Sequence, residues 1–324
     1  MNKYFSFHIV GFEGLIKDLL KKSDSEIKII DSQNGLVIYE SSKGIENIKN
    51  LRFLSNSFEL IDYTKQDDVS IDNYINQLLL GVNSNLNNVF IPKKNKTFRV
   101  VNFINGEIVS IDNKSQISVE SFIINNSNLT LERGLPDSEF WIVKRDGGIY
   151  LFGHRITYHK EFSKNLERGE LRPDLCNLLC QLSEPNKNDV FLDPFSGSHA
   201  ISNERKKICG YKEVIFGDIR DDIFRLDATN MKTKIQDQSI TKIVTDPPWG
   251  EYQKDDSLVD LYSKTFDEFK RVLANSGIIV ILTSATKLML DILKANENNF
   301  KLIGCYNILV NGKKASVYKI LKTK

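Results

Sequence analysis

Polar and apolar residues alternate at the start of the chain and again across its middle, whereas the second half carries short, unbroken apolar blocks. Tyr4–Val10 alternates and is rich in aromatic and β-branched residues, which predicts a strand. Phe12–Lys22 places Leu15, Ile16, Leu19 and Leu20 at helical spacing. Glu26–Ile30 and Leu36–Tyr39 read as strands joined at Gln33-Asn34-Gly35, and Ile45–Leu54 as a further helix. This strand–helix–strand–strand–helix order predicts a small α+β unit over 1–65. A second unit is expected over 66–156. It has a helix at Ile71–Val82, strands at Thr97–Phe103 and Glu107–Ile111, and a hairpin of Glu139–Val143 with Ile149–Phe152 around Asp146-Gly147-Gly148. Val119–Asn125 fits helix or strand.

From 157 to 324 the pattern changes to strands alternating with helices, as in a parallel sheet. A helix at Asp174–Leu182 precedes the apolar strand Val190-Phe191-Leu192 and a helix at Ala200–Cys209. Val214–Phe216 is the next strand, and Ile243-Val244 ends another. Glu251–Ser257 is polar and expected to be mobile. Tyr262–Leu273 reads as a helix, Ser276-Gly277 as a turn into the strand Ile278–Thr283, and Thr286–Asn296 as a helix. Cys305–Val310 and Ala315–Leu321 form a closing hairpin about Asn311-Gly312.

Composition changes this picture little. The 324 residues are 41% hydrophobic and 27% charged, enough for a sizeable core and at odds with global disorder. A net charge of +2 announces no nucleic-acid partner, although a local basic patch would suffice for one. Lys93-Lys94-Asn95-Lys96-Thr97-Phe98-Arg99 is such a patch, or else a solvated loop. The four cysteines form no CxxC pair and have no His at ligand spacing, so no metal is expected. Met1–Val10 does not read as a signal peptide, and no apolar run reaches the ~20 residues of a membrane helix; a cytoplasmic location is expected.

The candidate chemistry sits where the second-half strands end. Asp193-Pro194-Phe195-Ser196-Gly197-Ser198-His199 follows the first of them, an acid- and glycine-bearing loop leading into a helix. That is the form of the first crossover of a nucleotide-binding sheet, although a tight turn with a helix cap would look the same. Asp218 at the tip of the second strand could accept from both hydroxyls of a ribose, and Asp227 from the amine of an adenine. Asp246-Pro247-Pro248-Trp249 then joins an acid, a stiff turn and a flat ring. Each acid alone could be a loop-solvating or capping residue; their recurrence at strand ends is the signal.

Residues 166–283 resemble the class I S-adenosylmethionine-dependent methyltransferases of the amino-group type. Asp193–Ser198 is similar to their cofactor loop and Asp246–Trp249 to their (D/N/S)PP(Y/F/W) catalytic motif. Glu167-Arg168-Gly169-Glu170-Leu171-Arg172-Pro173 and Asp227-Ala228-Thr229-Asn230 resemble the RNA methylases that carry an N-terminal THUMP domain and make N2-methylguanosine in tRNA. Phe98-Arg99-Val100, Trp141-Ile142-Val143 and Phe152–Ile156 are similar to the end of a THUMP region, and Tyr4–Leu20 to the ferredoxin-like unit before it. The resemblance implies a Rossmann-like α/β domain behind an N-terminal α+β region. It implies S-adenosyl-L-methionine held by Arg172, Asp193, Pro194, Phe195, Gly197, Ser198, Asp218, Ile219, Asp227 and Ala228. Asp246, Pro247, Pro248 and Trp249 would be catalytic, with tRNA or another structured RNA as partner, and a small partner subunit stays open. The Asp246 carboxylate and Pro247 carbonyl would accept from the amine while Trp249 stacks on the base, which would have to flip out of a helix to reach them.

Two positions depart from that pattern. His199 stands where the family has glycine, and only Ile219–Asp222 separates Asp218 from Ile223–Leu226, too few residues for a parallel crossover. An abbreviated sheet edge is expected there. Two other readings therefore stay open: an N6-adenine or N4-cytosine methyltransferase of nucleic acid, and an inactive RNA-binding or partner protein that keeps the fold.

Overall fold

The computed structural model describes residues 1–67, 69–81, 86, 89–157, 170–250 and 255–323. The chain forms two compact units, Met1–Phe7 with Lys17–Tyr158 and His8–Ile16 with His159–Lys324.

The first unit is built on one nine-stranded sheet. Its strands are β1 (Asn2–Phe7), β2 (Lys28–Gln33), β3 (Leu36–Ser41), β4 (Asn56–Lys65), β5 (Thr97–Ile104), β6 (Glu107–Ile108), β7 (Thr130–Leu131), β8 (Ser138–Arg145) and β9 (Ile149–Arg155). The order is β2-β3-β1-β4-β9-β8-β5-β6, with β7 against β5. Four helices accompany it in sequence: α1 (Glu13–Ser23), α2 (Ile45–Lys49), α3 (Ile71–Gly81) and α4 (Asn113–Asn125). The expected boundary at 65/66 falls at the end of β4, and β4 pairs with β9 from Phe58↔Arg155 to Lys65↔Ile149, so both sides of that boundary feed one sheet. Alternation in the strands separates two cores. Phe98, Phe140 and Phe152 pack with Tyr74 and Ile75 of α3 and with Val119 and Ile123 of α4; Phe5, Phe58, Trp141, Val143 and Leu151 form the other. The ambiguous stretch at 119–125 is helical. Asp112 caps it, its carboxylate accepting from the backbone N–H of Lys114 and Ser115.

The second unit is a six-stranded sheet with helices. In chain order it contains α5 (Pro173–Leu182), β10 (Val190–Asp193), α6 (Ala200–Ile208), β11 (Glu213–Phe216), β12 (Ile240–Thr245), α7 (Asp255–Val272), β13 (Leu273–Thr283), α8 (Thr286–Ala295), β14 (Phe300–Val310) and β15 (Lys313–Lys322). The order is β11-β10-β12-β13-β15-β14. The first four strands are parallel, and β15 returns antiparallel between β13 and β14. Leu192, Ile243, Ile279, Phe266, Phe269 and Tyr318 belong to its core. Cys176 and Cys180 are buried on α5, where they serve as small apolar residues. The predicted turn at Ser276-Gly277 lies inside β13 instead, as an irregularity. Pairing with β12 shifts between Leu273 and Ile278, and Ser276 takes a φ of 61°.

Among the described residues no strand lies outside β11 at the sheet edge; the chain folds back there and makes an isolated bridge, Asp218↔Arg225. Gly217 permits that return, because a Cβ there would meet the Phe224 carbonyl at 2.4 Å and Leu226 Cβ at 2.5 Å. No helix among the described residues is long and apolar enough to cross a membrane.

Candidate active site

Parallel strands end together, so β10, β11 and β12 bring Asp193, Asp218 and Asp246 to the same edge of the sheet. Asp193 is fully buried at the end of β10. Its Oδ1 accepts from the Thr245 hydroxyl at 2.8 Å and from the Phe195 N–H at 3.4 Å, and its Oδ2 has no partner among the described residues. Burial, with a smaller push from Asp218, raises its carboxyl to about 7.

Asp246 follows β12 and keeps partial exposure. The Trp249 indole N–H donates to its Oδ1 at 2.7 Å. Desolvation in this enclosed turn, and the neighbouring Asp193, lift its carboxyl to about 7 against the opposing indole bond. Thus Trp249 first orients the acid, a contact the base-stacking expectation did not include. Pro247 is buried and Pro248 exposed. The Pro248 carbonyl accepts from the Tyr262 hydroxyl at 3.1 Å. That hydroxyl also lies 2.8 Å from Thr283 Oγ1, which accepts from the Ala285 N–H at 3.0 Å. Tyr262 is buried, and burial pushes its phenol well above the usual range. The strand end β13 and helix α7 therefore pin the turn from behind. Tyr262 went unrecognised in the sequence because a tyrosine on an amphipathic helix reads as core.

Two loops frame the other side. Gly197 and Ser198 are exposed, while Pro194 and Ser196 are buried and Phe195 half-buried. Gly197 has a φ of +46°, and a Cβ on it would find open space. Its N–H donates to Asp218 Oδ2 at 3.3 Å, and the Arg220 N–H donates to Asp218 Oδ1 at 3.0 Å. Ile219 is 54% exposed beside them. Asp227 is half-buried, and its Oδ1 accepts from the Thr229 N–H and hydroxyl at 2.9 and 2.7 Å, closing a local turn around buried Ala228. Arg172 stands at the N-cap position of α5 without a side-chain cap, and its guanidinium donates to buried Asp174 at 3.1 and 2.6 Å, so one of its roles is structural. Glu167, Arg168, Gly169 and residues 251–254 of the polar stretch lie outside the described residues. Asp255 onward is helical, against the expectation of a mobile segment to Ser257. No group of His, Cys, Asp or Glu among the described residues could hold a metal ion.

His199 occupies the αL region (φ 62°, ψ 18°) at the N-cap of α6. This is the conformation that glycine adopts without cost, so the departure at 199 changes the side chain while keeping a glycine-like backbone.

Residues 218–314 match the family model UPF0020, described as an RMKL-like methyltransferase domain. No curated protein matches by sequence. Among solved structures, TrmN from Thermus thermophilus superposes with a TM-score of 0.79 at 19% identity, covering 99% of this chain and 100% of that one. SMU.472 complexed with SAH gives 0.66 at 14% identity over 100% and 98%. A predicted N6-adenine-specific DNA methylase from Listeria monocytogenes gives 0.63 at 14% identity over 98% and 95%. These likenesses show the fold: an α/β chain with a Rossmann-like class I methyltransferase sheet behind an α+β N-terminal region.

Proposed function

We propose that the chain transfers a methyl group from S-adenosylmethionine to an exocyclic amine of a nucleic-acid base, and that the base is guanine, modified at N2, in tRNA. The observation that carries this reading is the fixed turn after β12. Asp246 is oriented by Trp249, and the Pro248 carbonyl is occupied by Tyr262.

The residues present suit the cofactor. Buried Asp193 Oδ2 has no partner among the described residues and would accept from an ammonium group. Gly197 and Ser198 offer open backbone, and Asp218 and Asp227 offer acceptors for a ribose and an adenine amine. S-adenosylmethionine supplies a methyl already activated on a sulfonium. The protein's share is placement and electrostatics. The lone pair of a base amine is delocalised into its ring. Acceptance of its N–H bonds by the Asp246 carboxylate and the Pro247 carbonyl would draw the nitrogen towards tetrahedral geometry. Proline at 247 and 248 stiffens the turn and adds no competing N–H. The ring of Trp249, already turned to Asp246, would still present a face to the base.

The first unit, with the Lys93–Arg99 segment leading into β5, would hold the RNA, and the protein would act in the cytoplasm. Asp246→Ala should abolish methylation while S-adenosylhomocysteine still binds in calorimetry, and nucleoside mass spectrometry should place the mark at N2 of guanosine. Unchanged turnover in that variant would end the catalytic assignment. A second reading, an adenine or cytosine amine in RNA or DNA, draws on the same Asp-Pro-Pro-Trp turn and on the fold shared with the Listeria protein. Methylated adenosine or cytidine in the nucleoside digest would favour it.

A further inference from the structure

The loop Ser196–His199 and the return segment Ile219–Phe224 are tied together through one side chain. The His199 ring packs against Phe216 (centroids 4.9 Å) and Phe224 (5.8 Å), which themselves lie 4.8 Å apart. Its Nδ1 shares a hydrogen bond of 3.0 Å with Ser196 Oγ, and its Nε2 lies 3.3 Å from Asp221 Oδ2. Asp221 in turn organises the return segment, its Oδ1 accepting from the N–H groups of Ile223 and Phe224 at 2.8 and 2.9 Å. A histidine in the αL region carries a conformational cost that its contacts must offset. Here those contacts are two aromatic rings, a buried hydroxyl and a carboxylate. Both flanks of this cluster also reach Asp218, through the Gly197 and Arg220 N–H groups.

We propose that Ser196, His199 and Asp221 form a latch that fixes the loop Gly197–Ser198 against the Ile219–Phe224 segment and so shapes the ribose end of the cofactor site. The unusual histidine and the missing helix after Asp218 are then one device: the ring spans the space that the shortened segment leaves. His199 acts as a positioning residue, reaching the cofactor only through Gly197, Ser198 and Asp218. The ligand assigned to the latch rests on the methyltransferase reading; the latch itself does not.

Two readouts separate them. Amide hydrogen exchange on the ligand-free protein tests the latch alone. His199→Gly, which relaxes the backbone but deletes the ring, and Asp221→Asn should each speed exchange at Ile223 and Phe224. His199→Asn, which tolerates αL without the ring contacts, should do the same and guards against a glycine-specific effect. Calorimetry with S-adenosylhomocysteine should show about tenfold weaker binding in each single variant. The double variant should be little worse than either, because the partners act as a pair. In turnover, KM for the cofactor should rise with kcat nearly unchanged. Unaltered exchange in all three variants would overturn the latch. Faster exchange with no change in affinity would overturn its role toward the cofactor. Wild-type protein that binds no S-adenosylhomocysteine would instead overturn the methyltransferase reading, and exchange would still decide the latch.

Discussion

Each unit sets one acid beneath an indole N–H, with opposite consequences. In the first, Glu139 on β8 accepts from Trp141 Nε1 at 3.0 Å; in the second, Asp246 accepts from Trp249 Nε1 at 2.7 Å. Burial acts to raise both acids. Glu139 also meets Arg99 of β5 and Arg155 of β9, the latter at 2.8 Å and itself 2.7 Å from Asn56 Oδ1. These guanidiniums and the indole outweigh the desolvation and hold its carboxyl below the usual range. Among the described residues no cation pairs with Asp246, and its charged neighbour is another acid, so its carboxyl stays near 7. The same acid–indole pair is thus a fixed charge in one unit and a titratable acceptor in the other; the third partner decides which.

The contrast breaks most sharply at Asp246. Replacing it with Ala should cut methyl transfer by at least about a hundredfold, or ~2.7 kcal/mol in the barrier, while thermal stability holds or improves. Glu139→Ala should do the reverse. It leaves Arg99 and Arg155 without their shared carboxylate, at a cost of about 2–3 kcal/mol, reduced from that of a fully buried pair because Arg99 is 37% exposed. Faster amide exchange along β5, β8 and β9 would register that loss, with cofactor affinity unmoved.

The pH dependence should then separate the two acids. An acceptor with its carboxyl near 7 accepts most strongly when ionised, so the rate of methyl transfer should fall as pH drops below 7 and level off above it. A flat profile from pH 6 to 8 would remove Asp246 from that role. A further effect concerns Asp193. Its folded value, about 7, lies above the ordinary carboxylate value of 3.8, so the folded chain binds the extra proton between the two. Its contribution is therefore complete at low pH and is lost as pH rises through about 7. Asp193→Asn, which keeps an acceptor for Thr245, should melt higher than wild type by a margin that widens from pH 5 to pH 8.

Much of the second unit was legible because its signals are local. Val190–Leu192 and Ile243-Val244 are apolar stretches closed by turn residues, and Asn311-Gly312 has the positive φ values of a tight hairpin. The short spacing after Asp218 also foretold the curtailed edge. What escaped depends on distant partners. Strand β4 went unread, although its pairing with β1 and β9 joins the two ends of the first unit's sequence. Strand β7 is two residues long and exists only against β5. At the site, the Tyr262 bond to Pro248 spans a separation of 14 residues, and the contacts of His199 with Asp221 and Phe224 span a loop whose path no local pattern specifies. Sequence spacing placed the acids at strand ends but not what each one touches.

The chain has only two tryptophans, one in each unit and each with its indole N–H on a carboxyl oxygen. They make a ready pair of intrinsic fluorophores. With Trp141 replaced by Phe, emission reports on the Asp246 turn, and it should shift as that acid titrates or a base stacks. With Trp249 replaced, emission follows the first unit and should stay constant across the same range, so that either half can be watched without a label.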